Sequence, residues 1–481
     1  MILTRHVLSF MPALMFGGAV VSALIPKRRV LALRSIGLFF SFLVLLVSLL
    51  QLILVNASGE FDFQEFISWI PALGINLRFG VDGVSSVLVA SLSFVLFMGA
   101  VFSARIIDVR VKEYFIMYLV TGACLIGAAI SLNVIQIAIF LQISVATFSF
   151  MAGMWGDGDR IRGFMRLFIV LEAACLLLFY CFIRCGIAAK TFDVIALYGH
   201  DFGAIEQRFL FSAMCLGFLV LAASFPFSSW LSSGIESIPL PVGMCLAGTI
   251  PALGLYGIYR LGILLFPLAA SGLSEKAVSM TAAIFVLSTM FLVSRGKSRA
   301  AGSAMISALG VFGAMGFFSG AVESVLGATV ILVMMPVLAS GMLVCEFYSH
   351  FQKGAVLKTF IACIMLAVAV FPMFGAFYGF VGVAGGVFQK YQILAIFVLL
   401  GYVFLLAGVL KHLPTMIKNP EGPENLKSGI GDVLVVMPFA AVGFFVGVYP
   451  NILVTKMAGS AAAFVELMKR YELVIPAGII N

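Results

Sequence analysis

Residues 32–55 read ALRSIGLFFSFLVLLVSLLQLILV, an apolar run that contains one charged residue, Arg34. As an α-helix this run is about 36 Å long, which is enough to cross the hydrocarbon core of a bilayer. A membrane β-strand needs only about ten residues and alternates between apolar and polar positions, and this run does not alternate. The run therefore predicts a membrane-spanning helix and argues against a β-barrel.

Similar apolar runs recur along all 481 residues of the chain. Hydrophobic residues make up 63% of the sequence and charged residues 10%, whereas soluble domains contain roughly a quarter charged residues. A soluble fold of this size cannot bury so much apolar surface. We therefore predict an all-α, polytopic membrane protein with a single membrane domain over residues 1–480.

The apolar runs predict about fourteen transmembrane helices. The predicted spans are 8–25, 32–55, 83–104, 113–131, 133–155, 163–186, 209–231, 239–265, 275–295, 302–319, 325–347, 357–379, 391–411 and 431–455.

Prolines near small or polar residues in two of the long helices are candidates for helix breaks. Pro226 lies in the seventh helix, and Pro372 lies in the twelfth together with Gly375 and Gly379. Broken helices at matching places in two halves are typical of inverted repeats with a transport site between them. Prolines also kink ordinary membrane helices, since neighbouring groups re-satisfy the backbone, and this explanation stays open.

The five-helix distance between the two prolines predicts how the domain is organised. Residues 1–112 hold helices 1 to 3, residues 113–265 form the first repeat and residues 275–411 form the second, inverted repeat. Residues 431–455 then form helix 14.

The distribution of basic residues predicts the topology. Lys27, Arg28 and Arg29 follow the first apolar run, whereas a signal peptide carries its basic residues before the run. Placing this cluster in the cytoplasm puts most of the 29 Lys and Arg residues there and both termini outside. The net charge of +8 comes from such short clusters and not from a basic stripe, so we expect no nucleic-acid partner.

No arrangement of metal-binding or catalytic residues stands out. The cysteines form no CxxC pair, the four histidines lack the spacing of metal ligands, and no Gly-rich phosphate loop or Ser-His-Asp set is present. The sequence predicts no metal, no cofactor and no catalysis by this chain alone. The eight cysteines lie in or beside apolar runs, as expected for small packing residues: Cys124, Cys175, Cys181, Cys185, Cys215, Cys245, Cys345 and Cys363.

Several motifs resemble one family of membrane proteins. The stretch 69–85, WIPALGINLRFGVDGVS, is similar to the entry into the third helix of the antiporter-like membrane subunits of respiratory complex I, the NADH:quinone oxidoreductase. PFSSWL at 226–231, then LAG at 246–248 and GLYG at 254–257 with Arg260, resembles the family's seventh and eighth helices.

Further matches extend the resemblance. FLQI at 140–143 with GMWG at 153–156 resembles the fifth helix, and GAFYG at 375–379 resembles the break in the twelfth. The large subunits of Mrp-type cation/proton antiporters share this fold. The resemblance implies fourteen helices, a bacterial-type inner (cell) membrane, and other membrane subunits as partners. It also implies that NADH and quinone chemistry takes place elsewhere, so the chain is at most a membrane subunit of an NADH:quinone oxidoreductase.

Matching the motifs residue by residue gives a set of positions with expected structural roles. Asp82 and Arg260 lie near membrane borders and are interpreted as anchors. The full set is Asp82, Trp155, Pro226, Trp230, Gly254, Arg260, Pro372 and Gly379.

The chain departs from the family where pumping members carry titratable side chains. The family's glutamate in the fifth helix corresponds to Gln142, its lysine in the seventh helix to Leu221, and the histidine that follows to Ser228. The lysine of the eighth helix corresponds to Ala252, and the lysine or glutamate of the twelfth to Phe380. None of these replacements carries a proton.

The family's mid-membrane histidines correspond to Ala308 and Met335. A proton relay needs groups that accept and release charge inside the membrane, so we predict that the usual proton path is lost or rerouted. The remaining candidates for an ion path are Glu172, Gln142, Ser224, Ser228 and Thr249.

Glu172 is the acidic residue deepest in a predicted helix, and it matches no titratable position of the family. An ionisable side chain inside the membrane indicates a functional site by default. Two structural explanations stay open: the carboxyl bonds a neighbouring group in the chain, or it pairs with a cation of another subunit.

Three functions remain open at this point. The first is a membrane subunit of a complex I-like or Mrp-type Na⁺/H⁺ antiporter assembly that acts as a structural or coupling element. The second is a stand-alone secondary transporter with a site near Glu172 and Pro226. The third is a conventional proton-translocating subunit, which requires a titratable residue within one helical turn of the family positions.

Overall fold

The computed structural model describes residues 6–71, 74–156, 158–198, 200–294, 298–351, 353–418 and 429–472. Both chain termini, for which the sequence predicts an outside location, lie beyond these ranges. The first half of the described chain forms α1 (Val7–Leu24), α2 (Val30–Leu54), β1 (Asp62–Ile70), β2 (Ile75–Val81), α3 (Gly83–Ile106), α4 (Val111–Ile130), α5 (Val134–Trp155), α6 (Arg160–Ala189), α7 (Val194–Leu197), α8 (Ala204–Leu221) and α9 (Ser229–Ser237).

The second half forms α10 (Leu240–Gly257), which continues as a π-helix (Ile258–Ile263), α11 (Pro267–Ser294), α12 (Ser298–Ser319), α13 (Val322–Tyr348), α14 (Ala355–Val368), α15 (Gly375–Lys390), α16 (Gln392–Ile417), α17 (Ile430–Val448) and α18 (Asn451–Glu472).

Within the described ranges, 13 helices are long and apolar enough to cross a membrane. The predicted all-α, polytopic fold is confirmed. Residues 357–379, predicted as the twelfth span, belong to two shorter helices, α14 and α15. The predicted end of the last span at residue 455 is wrong: α17 ends at Val448, because Tyr449 leaves the helical conformation and Pro450 provides no amide donor.

A short antiparallel hairpin, β1 with β2, connects α2 to α3. Glu65 on β1 is buried and accepts hydrogen bonds from the backbone amides of Leu8 (2.7 Å) and Ser9 (3.1 Å). These amides belong to the first turn of α1, where backbone donors have no partner within the helix. The hairpin therefore fixes the start of α1 against the segment that leads into α3.

Helix α18 follows the last membrane span and packs against α3, α11 and α13. The Lys456 ammonium donates to the carbonyl oxygens of Ile53 (3.1 Å) and Val55 (2.7 Å), which lie at the end of α2. The backbone of Lys456 also lies so close to Gly83 that a side chain at Gly83 would overlap it. Helix α18 thus links the end of α2 to the start of α3.

The centre of the bundle consists of α10, α12 and α13, each with an 18-residue stretch that is 100% buried. In contrast, α2, α16 and α17 bury a third or less of theirs and form the outer surface. Small residues allow the central helices to approach closely. The Ser340 hydroxyl on α13 donates to the Met244 carbonyl oxygen on α10 (2.8 Å), and the Ser324 hydroxyl donates to the Val383 carbonyl oxygen on α15 (3.1 Å).

Candidate functional site

The positions at which the resembled family carries titratable side chains form an apolar interior in this chain. Leu221, Ala252, Ala308 and Met335 are fully buried, and Phe380 is 7% exposed. These residues lie on α8, α10, α12, α13 and α15, the helices that meet around the centre of the bundle. None of these five side chains carries a group that titrates.

The polar candidates from the sequence are spread over different elements. Gln142 is half-buried on α5, Ser224 is buried just after α8, and Ser228 is buried just before α9. Thr249 is buried on α10 and donates to the carbonyl oxygen of Cys245 in its own helix (2.7 Å). No hydrogen bond joins any two of these four side chains in the described structure, so they do not form a direct chain of donors and acceptors.

A buried polar cluster that sequence reasoning missed lies between α3, α4 and α10. The Tyr114 hydroxyl is 2.8 Å from the Ser103 hydroxyl, and the Ser103 hydroxyl donates to the Gly99 carbonyl oxygen (2.6 Å). One turn further along α4, the Tyr118 hydroxyl donates to the Leu96 carbonyl oxygen on α3 and lies 3.5 Å from the Cys245 thiol on α10. The signal that the sequence offers is the pair of tyrosines four residues apart near the start of a membrane helix.

A cavity of about 580 Å³ opens at one end of the bundle between α3, α5, α9, α10 and α13. Trp155 lines it, donates to the Val109 carbonyl oxygen (2.7 Å) and packs its ring against Tyr114 with centroids 5.3 Å apart. Glu346 also lines the cavity and is only 4% exposed. The sequence does not single it out, because it lies in the last turn of its predicted span. Within the described ranges, no three His, Cys, Asp or Glu side chains are placed to hold a metal ion.

The opposite end of α3 carries a deeply buried ion pair. The Arg260 guanidinium lies 2.5 Å from the Asp82 carboxylate, and both side chains are 6% exposed or less. Asp82 is the N-cap of α3 and accepts from the Ser85 amide (2.9 Å) and hydroxyl (2.7 Å). Burial opposes ionisation of Asp82, but Arg260 and Ser85 outweigh it, so the pKa of Asp82 lies below its ordinary value.

Aromatic rings enclose the Arg260 side chain. The guanidinium carbon lies 4.8 Å from the centre of the Phe61 ring and 5.4 Å from that of Tyr256, and Arg260 Nε donates to the Tyr256 hydroxyl (3.1 Å). Arg260 belongs to the π-helix, a local widening of the helix that is frequent at functional sites. The pair connects the hairpin, the start of α3 and the end of α10 at one membrane border.

The chain is interrupted between α8 and α9 and between α14 and α15, and the two interruptions begin with the same backbone arrangement. The amides of residues 222 to 224 bond to carbonyls four, three and five residues earlier, and the amides of residues 369 to 371 do the same. The middle residue of each triplet, Ala223 and Val370, has a left-handed conformation with φ of 53° and 58°. Pro226 and Pro372 follow, and both are exposed.

Two family-matched residues hold the first interruption in place. The Trp230 indole on α9 donates to the Val220 carbonyl oxygen in the last turn of α8 (2.9 Å). Gly254 on α10 lies directly against the backbone of Leu221 and Ala222, where a side chain does not fit. Around the second interruption, Gly379 lies against Ile331 and the backbone of α13.

Glu172 lies on α6 at the outside of the bundle and is half-buried. Among the described residues it has no hydrogen bond or ion pair. Helix α6 itself packs on α5, α8 and α9. Within the described ranges, no hydrogen bond joins Glu172 to Ser224 or Ser228, the polar candidates near Pro226.

A protein family described as the transmembrane region of NADH:quinone oxidoreductase and Mrp antiporter matches residues 131–406. This match covers more than half of the chain, from the start of α5 into α16. The chain belongs to this family.

Comparisons over the full length agree with this family membership. NADH-quinone oxidoreductase subunit M of Rhodobacter capsulatus is 24% identical over 473 residues, which cover 91% of each protein. A chain in the structure of the Mrp complex from Dietzia sp. DQ12-45-1b superposes with a TM-score of 0.86 at 13% identity, over 99% of this chain and 100% of that one. A chain of respiratory complex I from Thermus thermophilus superposes with a TM-score of 0.81 at 17% identity, over 97% and 99%.

The family match includes both helix interruptions and the three central helices of this antiporter-like chain. It begins after Asp82, so the buried ion pair joins a residue inside the matched region to one outside it. The fold of a family member is thus retained while the interior positions at 221, 252, 308, 335 and 380 are apolar.

Proposed function

We propose that this chain is a membrane subunit of a complex I-like or Mrp-type assembly in which it acts as a structural and coupling element. The observation that carries the proposal is the apolar, fully buried interior at Leu221, Ala252, Ala308 and Met335. The fold supports it too, since chains of a complex I and of an Mrp complex share this fold over nearly their whole length.

The missing charges matter because side-chain proton relays depend on groups that exist in two charge states. Such groups persist inside a membrane against a cost of about 2.5–3.5 kcal/mol on insertion scales, so they are kept where they have a task. The apolar interior described above contains no such group, so the cost of holding a titratable side chain in the membrane does not arise there. In this proposal, the apolar bundle of this chain packs against neighbouring subunits and transmits displacement between them.

The two helix interruptions support the predicted inverted repeats over residues 113–265 and 275–411. Each begins with the same three-amide hydrogen-bond pattern and the same left-handed residue, at Ala223 and Val370. We infer that the repeat architecture is retained in a chain whose proton path is lost or rerouted. Bacterial relatives support a bacterial inner membrane location, with both termini outside as the basic residues predict.

Proton flux through the purified assembly in pH-gradient liposomes tests the loss of the usual path. We expect Gln142→Ala and Ser224→Ala to leave the proton flux, normalised to the flux with added protonophore, within about twofold of wild type. The reason is that these side chains do not form a relay. A saturable flux that falls more than tenfold in Gln142→Ala contradicts the proposal. Thr415→Ala, at the end of α16 and away from the interior, is the matched control.

Co-purification in mild detergent tests the assembly itself. Flavin and iron–sulfur subunits among the co-purifying proteins indicate a complex I-like assembly, and small Mrp-type subunits indicate an antiporter. A chain that purifies alone from native membranes, and whose melting temperature rises with a transported solute, contradicts the proposal and favours the stand-alone transporter.

A further inference from the structure

The outward face of α6 carries large apolar side chains that repeat at helical spacing. Their exposed fractions range from 46% to 71%. The opposite face packs on α5, α8 and α9 through buried residues such as Leu167, Leu171 and Leu178. We call the exposed side the α6 face, and its large apolar members are Ile161, Met165, Ile169, Leu176, Tyr180 and Ile187.

Glu172 lies on the flank of the α6 face and inside the hydrocarbon layer. Arg166 and Arg184 mark the polar ends of the helix, and Glu172 lies about 9 Å from the first and about 18 Å from the second along the helix axis. The layer is about 30 Å thick, so the backbone of Glu172 lies inside it. A charged carboxylate at this depth is costly, and such groups in membrane proteins usually have a partner.

The chain itself does not supply that partner within the described structure. Helix α5, which packs beside Glu172, contains no charged residue. On α8, Glu206 pairs with Arg184 (2.7 Å) at the far end of α6, and Arg208, the other charged residue of α8, lies two residues from Glu206 at that same end. Asp159 and Arg162 pair with each other (3.2 Å) at the near end.

We propose that the α6 face binds a transmembrane helix of a neighbouring membrane subunit, and that this helix carries a lysine or arginine at the depth of Glu172. Charge complementarity selects this occupant, because a lipid chain provides no donor and the apolar side chains around Glu172 complement an apolar helix. The inference rests on the proposed function in one respect, namely that the chain works within an assembly.

A second copy of this chain fits the α6 face less well. A symmetric contact between two α6 faces brings the two Glu172 carboxylates towards each other. Like charges in a medium of low dielectric constant repel strongly, so such a contact is unfavourable unless both carboxyls are protonated. A basic side chain satisfies Glu172 without this requirement.

Charge reversal at Glu172 in the full chain, expressed in its native membranes, tests the proposal. We expect Glu172→Lys to lower the amount of one neighbouring subunit that co-purifies by roughly 30-fold or more, since a buried charge then faces a like charge. Glu172→Gln keeps a hydrogen bond and is expected to have a smaller effect. Ile396→Lys, which also places a lysine on an exposed apolar helix face, that of α16, is the control.

Rescue and crosslinking identify the partner. Changing the basic residue of the released subunit to glutamate is expected to restore co-purification with Glu172→Lys. A photoreactive residue at Ile169 or Leu176 is expected to crosslink to a transmembrane peptide that contains lysine or arginine. Crosslinks to lipid alone or to a second copy of this chain overturn the proposal, as does wild-type subunit content in Glu172→Lys or equal loss in Ile396→Lys. Wild-type co-purification separately reports whether an assembly exists, so the two proposals fail independently.

Discussion

Replacing Gly254 with valine is expected to abolish most of the folded protein recovered in detergent. A Cβ atom at this position would lie 2.8 Å from the Leu221 carbonyl carbon and the Phe218 carbonyl oxygen, and closer still to the Ala222 amide nitrogen. These are backbone atoms at the end of α8, which cannot move aside as a flexible side chain does. Overpacking in a rigid core costs typically 1–3 kcal/mol, and the branched valine against backbone is expected to cost about 3 kcal/mol or more.

Thermal unfolding of the detergent-solubilised protein, followed by size-exclusion chromatography, measures this effect. Gly243→Ala on the same helix is the matched control, because its nearest contact is a carbon of the Ile238 side chain at an ordinary 3.5 Å. Alanine favours a helix over glycine, so the control is expected to melt at or slightly above the wild-type temperature. A Gly254→Val protein that melts like wild type contradicts the tight approach of α10 to the end of α8.

The transmembrane helices were predictable from sequence because a long apolar run has few alternatives in water or in a bilayer. The hairpin was missed, although Ile75, Leu77, Phe79 and Val81 alternate with other residues at the period of a strand. The position of its two strands depends on Glu65 meeting the start of α1, a contact that the strand pattern does not reveal. Helix α18 was missed because it is amphipathic and contains charged residues, so hydropathy alone does not detect it.

The sequence predicts which titratable residues the candidate site lacks. It does not predict which side chains contact each other there. Aligning the family's motifs identified Leu221 and Ala252 as uncharged replacements, and both lie fully buried. Hydrophobic periodicity carries no information on which polar groups meet across helices. The contact between Tyr114 and Ser103 and the burial of Glu346 depend on how α3, α4, α10 and α13 pack, which becomes known only from the fold.

Asp82 and Arg260 illustrate the same point, and they give the second large effect that we expect. Each was interpreted from sequence as an anchor near a membrane border, but their pairing across α3 and the π-helix was not predicted. Removing one member leaves the other as a buried charge, which costs about 3–5 kcal/mol. We therefore expect Asp82→Asn and Arg260→Gln each to lower the melting temperature strongly.

The Asp82→Asn variant isolates the charge, because asparagine is as good an N-cap for α3 as aspartate. The double variant, Asp82→Asn with Arg260→Gln, leaves no unpaired charge and is expected to be more stable than either single variant. The pair should also show acid dependence. The pKa of Asp82 lies below its ordinary value near 3.9. The contribution of ionised Asp82 to the free energy of unfolding is therefore complete above that pH and is lost as the pH falls below it.

A double-mutant cycle measured by thermal unfolding at neutral pH decides whether the pair is coupled. A coupling energy of about 2 kcal/mol or more is expected for two buried charges in direct contact, since neighbours that share an ion pair are not additive. Arg470→Gln, which breaks an exposed pair with Glu466 on α18, is the control and is expected to change stability by less than about 1 kcal/mol. Additive effects of Asp82→Asn and Arg260→Gln contradict a coupled pair and show that the two residues stabilise the membrane border separately.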